Sequence, residues 1–106
     1  MAVDRPARKR AREVFTTLQN GLPVPFEVSL SWVALEGFGE TSFVESKDGK
    51  RKARVRLRSD LNEALAVETL VHEWAHLLSA DYYGVSHDAV WGIAYSDTYK
   101  LIYGDH

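Results

Sequence analysis

At 106 residues, 45% hydrophobic and 26% charged, this chain builds one small globular domain spanning 1–106 and leaves no room for a second. It has no cysteine, which excludes disulfides and thiolate metal sites, and no apolar run near the ~20 residues of a membrane span. The net charge of −2 is unevenly divided: residues 1–59 carry 12 Lys/Arg against 7 Asp/Glu, and residues 60–106 carry 1 against 8.

Residues 4–20 are predicted as a helix, with Asp4 as its cap, Pro6 in its first turn, Gly21 as its stop and Val14, Phe15 and Leu18 as its apolar stripe. Arg5, Arg8, Lys9, Arg10 and Arg12 crowd its first part. The segment lacks the apolar stretch of a secretory signal, so a cytoplasmic protein is expected. Leu22-Pro23-Val24-Pro25 then breaks the helix. Residues 26–35 alternate Phe26, Val28, Leu30 and Trp32 with more polar neighbours and predict a strand. Gly37 and Gly39 mark a turn, and 40–46 predicts a weaker second strand. Asp48-Gly49 predicts a hairpin turn, because this pair tolerates positive φ. Residues 51–58 predict a third strand, with Ala53, Val55 and Leu57 on one side and Lys52, Arg54, Arg56 and Arg58 on the other.

Ser59 and Asp60 open a long helix running from 61 to 82 or 83, with Asp60 and Glu63 spaced as a capping box and Gly84 as the stop. Leu61, Leu65, Val67, Leu70, Val71, Trp74, Leu77 and Leu78 cover so much of its circumference that it is expected to be central. A last helix is predicted over 88–103, with Val90, Trp91, Ala94, Tyr95, Leu101 and Ile102 inward. The order α-β-β-β-α-α predicts an α+β domain with a three-stranded sheet packed on the long helix.

That helix carries His72-Glu73-Trp74-Ala75-His76, a match to H-E-x-x-H. Positions i and i+4 share a helix face, so both imidazoles can reach one Zn²⁺ at about 2.0–2.1 Å. Glu73 lies roughly 100° around the axis from His72. There it is placed as general base toward a water whose pKa zinc lowers to about 7. Catalytic zinc sites commonly have three protein ligands. His87, at the start of the last helix, is the candidate third; Asp81 and Asp88 are the alternatives, and His106 stands at the far end of the chain.

Residues 71–78 (VHEWAHLL) followed by 87–91 (HDAVW) resemble the metallopeptidase core of SprT-like proteins, the group that includes Spartan. That family has H-E-x-x-H on a helix, then a third zinc-binding His followed four residues later by an aromatic. The resemblance implies a zincin-like fold, one zinc per chain, and hydrolysis of peptide bonds. Several members of the family act on proteins bound to DNA. This chain differs in having Asp88 where the family often has Gly, a slightly short spacing from His76 to His87, and no cysteines for the zinc ribbon many members carry. A compact relative encoded by a phage or mobile element fits these features.

The other candidate residues have two readings each. Tyr95 and Tyr99 are candidate oxyanion donors or core aromatics. Glu68, one turn before His72, either orients a ligand imidazole or is a solvated helix residue. Asp88 is a candidate for the outer shell, and Trp74 and Trp91 read as core. A peptide substrate would add to a sheet edge, for which the third strand is one candidate. Arg54, Arg56 and Arg58 either contact a polyanion such as DNA or keep a sheet face soluble. The competing function is therefore a zincin-like binding module, recognising DNA or a protein through its basic half, with zinc only structural.

Overall fold

The computed structural model describes residues 5–79 and 87–104. Helix α1 (Arg5–Gly21) buries Ala7, Ala11, Val14 and Leu18, spaced so that one face meets the core. Asp4, its expected cap, lies outside the described residues. Arg8 and Arg12 lie over the Trp32 ring at 5.0 and 4.9 Å, so part of the basic cluster covers an aromatic of the sheet.

Strands β1 (Glu27–Val33), β2 (Gly39–Glu45) and β3 (Arg51–Arg58) form a mixed sheet in the order β1-β3-β2. β1 runs parallel to β3, and β2 runs antiparallel to it. The β2–β3 hairpin turns as expected at Asp48-Gly49. Gly49 takes φ of 81°, and its N–H donates to Ser46 O at 2.9 Å. The register aligns Val28, Ala53 and Phe43 across the three strands, then Leu30, Val55 and Thr41, then Trp32, Leu57 and Gly39. These residues face the helices. The third strand is thus the centre of the sheet and not an edge, which corrects the expectation. Ala53, Val55 and Leu57 are its fully shielded row, and only the middle position covers such a row from both sides. Among the described residues the edges of the sheet belong to β1 and β2.

Helix α2 (Glu63–Leu78) is central, packing on α1, α3, β2 and β3. Its cap is Asn62, whose Oδ1 accepts the Leu65 N–H at 2.9 Å. The expected Asp60–Glu63 capping box does not form, because Asp60 accepts from Arg58 Nε at 2.6 Å. The helix ends at Leu78 instead of 82 or 83, and Ser79 closes it by donating from N–H and Oγ to Ala75 O. Gly84, the expected stop, lies outside the described residues. Trp74 is fully buried, as expected: it meets Phe15 edge-on at 5.8 Å and donates from Nε1 to Leu22 O at 3.0 Å.

Helix α3 (Ala89–Tyr103) turns Trp91, Ala94, Tyr95, Thr98 and Ile102 inward. Val90 and Leu101, expected inward, are 59% and 39% exposed. Each sits about 100° off the buried stripe that begins at Trp91. No helix among the described residues is long and apolar enough to cross a membrane.

Candidate metal centre and adjoining cleft

His72 and His76 lie one turn apart on α2, and His87 reaches them from the residue before the α3 cap. Each offers a ring nitrogen, and these three atoms lie within 4.8 Å of one another, close enough to hold one metal ion. His72 Nε2 and His87 Nε2 are 3.3 Å apart. The three differ in exposure. His76 is buried, His72 is half-buried, and His87 is open to solvent. Burial, then the neighbouring His76 and His87, push the His72 pKa down. A depressed pKa keeps that imidazole neutral, the form a metal needs.

What brings His87 back to α2 is the start of α3. Asp88 Oδ1 accepts the Trp91 N–H at 3.0 Å and fixes the chain direction just after His87. Asp88 is therefore a helix cap, and the metal-competent group among the described residues contains the three histidines without it. Asp81 and His106 lie outside the described residues. Trp91 is more than a core aromatic: its ring lies 5.0, 5.6 and 4.6 Å from those of His72, His76 and His87. It packs among all three imidazoles and limits their rotation.

Glu73 points between α2 and the sheet and is only 5% exposed. Thr41 Oγ1, on β2, donates to its Oε1 at 2.7 Å. Its other oxygen, Oε2, lies 4.0 Å from His72 Nε2. The carboxylate is thus anchored by one oxygen and offers the other to the metal centre. Burial pushes its pKa up to about 7, against the lowering effect of the Thr41 bond. A carboxyl with a pKa near neutrality can both take and return a proton near neutral pH.

Thr41 was not singled out from sequence. The available signal was a polar residue at an inward position of a strand, which demands a buried partner. Gly39 was read only as a turn residue. A Cβ there would stand 2.6 Å from Thr69 Cγ2 and 3.1 Å from Arg56 O, so glycine lets β2 close onto α2.

Beside the histidines opens a cleft of about 400 Å³, lined by Phe38, Gly39, Leu65, Glu68, Thr69, His72, Glu73 and Tyr95. Tyr95 is half-buried, its ring 6.4 Å from that of His72. Tyr99, one turn on, is 45% exposed and stacks toward Tyr103 at 4.5 Å, so it is not the core residue it was read as. Glu68 is exposed, and among the described residues it makes no hydrogen bond to His72.

The basic strand face lies on the opposite side of the sheet from this site. Arg56 pairs with Glu40 at 3.0 Å, Lys52 with Glu27 at 3.5 Å and Arg58 with Asp60 at 2.6 Å. Arg54 lies exposed between Ser29 and Ser42 in the register. Most of these cations thus have acidic neighbours within the fold. No protein-family model, curated protein or solved structure matches this chain.

Proposed function

We propose that this chain is a small zinc-dependent metallopeptidase of zincin-like, SprT-related type, with His72, His76 and His87 as zinc ligands and Glu73 as general base. The observation that carries the reading is the convergence of three imidazoles beside one anchored, buried carboxylate. Zn–N bonds of 2.0–2.1 Å in a tetrahedron set the nitrogens about 3.3–3.4 Å apart. The 3.3 Å between His72 Nε2 and His87 Nε2 matches that edge. Three neutral nitrogen ligands also leave a fourth position open, the pattern of catalytic zinc sites.

When bound, zinc supplies Lewis acidity, acidifying water and polarising a carbonyl. The chain's own residues supply the rest. Glu73 Oε2 takes a proton from the attacking water while Thr41 holds Oε1 and sets the carboxylate plane. The same oxygen then passes the proton to the leaving nitrogen of the peptide. Tyr95, whose pKa is raised mainly by burial, stays protonated and is, among the described residues, the nearest phenol for the carbonyl oxygen. An extended peptide fits along the free edge of β2, whose first residue, Gly39, lines the cleft.

The test combines metal content with hydrolysis. Purified protein should carry one zinc per chain, His87→Ala should lose most of it, and Glu73→Gln should keep zinc while peptide hydrolysis falls by about 10²–10⁴-fold. A wild type that takes up no metal, or equal hydrolysis by wild type and Glu73→Gln, would overturn the proposal.

A further inference from the structure

We propose that the cleft beside the metal centre is a subsite for a basic side chain, Lys or Arg, of the peptide being cut. This rests on the peptidase reading above and names the substrate class of that same site. The cleft begins at His72 and Glu73 and runs along α2 to Leu65 and Glu68. Glu68 is four residues before His72, one turn or about 6 Å along the helix. That is close to the reach of an extended Lys stem from a backbone held at the metal centre.

The walls suit such a stem and its charged head. Leu65, Phe38 and Tyr95 offer apolar surface to methylenes. Phe38 is a large apolar side chain left 48% exposed at this site. The Arg58 guanidinium lies over this ring at 4.7 Å, with its own charge met by Asp60 at 2.6 Å, a cation–π contact of the kind a basic substrate side chain could make with the aromatic lining. Among the described residues no Lys or Arg lines the cleft, and its two carboxylates are Glu68 and Glu73. Glu73 is held by Thr41. Among the described residues Glu68 has no ion pair; Arg10, across the neighbouring cleft, does not reach it. Its charge is felt locally, since after burial it is the next cause holding the Tyr95 and Tyr103 phenols above their ordinary range. A carboxylate without a partner, reached past two aromatic walls, is complementary to an ammonium or guanidinium group.

The experiment uses Ala/Gly decapeptides carrying a single Lys, norleucine or Glu. Cleavage is read by mass spectrometry with the zinc-loaded wild type. Binding is read by fluorescence anisotropy with zinc-loaded Glu73→Gln. The Lys peptide should be preferred to norleucine by roughly tenfold, the combined scale of one cation–π contact and one half-exposed ion pair. Glu68→Gln should level Lys with norleucine, and Glu68→Lys should rank the Glu peptide above Lys. Glu68 is exposed, so both variants should fold, which circular dichroism checks. Cleavage without a Lys preference, or with a preference that Glu68→Lys leaves unchanged, overturns the subsite and leaves the peptidase standing. Lys-selective binding reversed by Glu68→Lys, without cleavage, supports the subsite and overturns the peptidase. Neither cleavage nor binding overturns both.

Discussion

Replacing Glu73 by Gln should stabilise the metal-free fold while removing the base of the proposed hydrolysis. The carboxyl titrates at about 7 in the fold against an ordinary value of 4.5, and the first cause is burial. A raised acid pKa means that the folded state binds the proton more tightly than the unfolded chain. Stability is therefore highest with Glu73 protonated and is lost as pH rises through the folded value. The difference of roughly 2.5 units corresponds to about 3 kcal/mol when ionisation is complete in both states. Gln keeps the shape and still accepts from Thr41 through its amide oxygen, but its NH₂ needs a partner, which costs about 1 kcal/mol or more where none is found. The net gain expected at pH 8 is about 1–3 kcal/mol, or roughly 5–15 °C in Tm for a domain of this size. Below pH 5 the gain should vanish, because the carboxyl is then increasingly protonated in the unfolded chain as well as in the fold. The assay is thermal unfolding of both proteins in chelator from pH 5 to 8, read as the difference between their Tm values. Subtracting the two curves removes what the histidines contribute to each. A difference that stays flat with pH would refute the reasoning, since it would mean that the Glu73 carboxylate is well solvated in the fold.

Thr41→Val should leave zinc content unchanged and lower kcat by about tenfold or more, the scale of one lost hydrogen bond to a charged group, as compared in metal-loaded samples. Gly39→Ala should destabilise by about 1–3 kcal/mol in a denaturant titration through its clash with Thr69 Cγ2, and adding Thr69→Ser should restore part of that loss. Trp74→Ala should cost about 3–5 kcal/mol and leave most of the chain unfolded by circular dichroism, because the ring is fully buried and its Nε1 is bonded to Leu22 O. The depressed His72 pKa gives an opposite slope to that of Glu73: its stability contribution is complete above the ordinary value of 6.5 and is lost as pH falls below it. Glu73→Gln in chelator should therefore be less stable at pH 5 than at pH 7, and equal Tm values there would count against that shift.

The parts of the fold legible in sequence are those where a local pattern determines the outcome. The alternation in 51–58 located β3 to the residue, and Asp48-Gly49 located its hairpin. H-E-x-x-H located two of the three clustered histidines because helical spacing alone aligns them. Where the outcome depends on a distant partner, the pattern is silent. Alternation tells which side chains of β3 face the core but not which strands flank it, so an edge and a centre look alike. The choice between Asp60 and Asn62 as helix cap turned on Arg58, which takes Asp60 out of contention. Helix α3 carries apolar residues around much of its circumference, including exposed Val90 and Ile93, so hydropathy could not orient it. The Thr41–Glu73 bond joins residues 32 apart in sequence and exists only because β2 lies beside β3 in one register.

That long-range bond also explains why a helix this buried can carry the site. α2 supplies Trp74 to the core, and within two residues of it Glu73 and His76 are also buried. A buried acid with no partner would be neutral and free to rotate, of little use as a base. Thr41 fixes its orientation with a bond that favours the charged form, offsetting part of the burial that raises its pKa. The two influences leave the carboxyl near neutrality instead of at either extreme. Thr41→Val removes only the stabilising one, so in the metal-free protein the Glu73 pKa should rise above its wild-type value. In chelator, the loss of stability with rising pH should then begin where it does in wild type but continue to higher pH and reach a larger total. If it levels off at lower pH or does not move, the Thr41 bond does not support the ionised carboxylate, and its role is confined to packing β2 against α2.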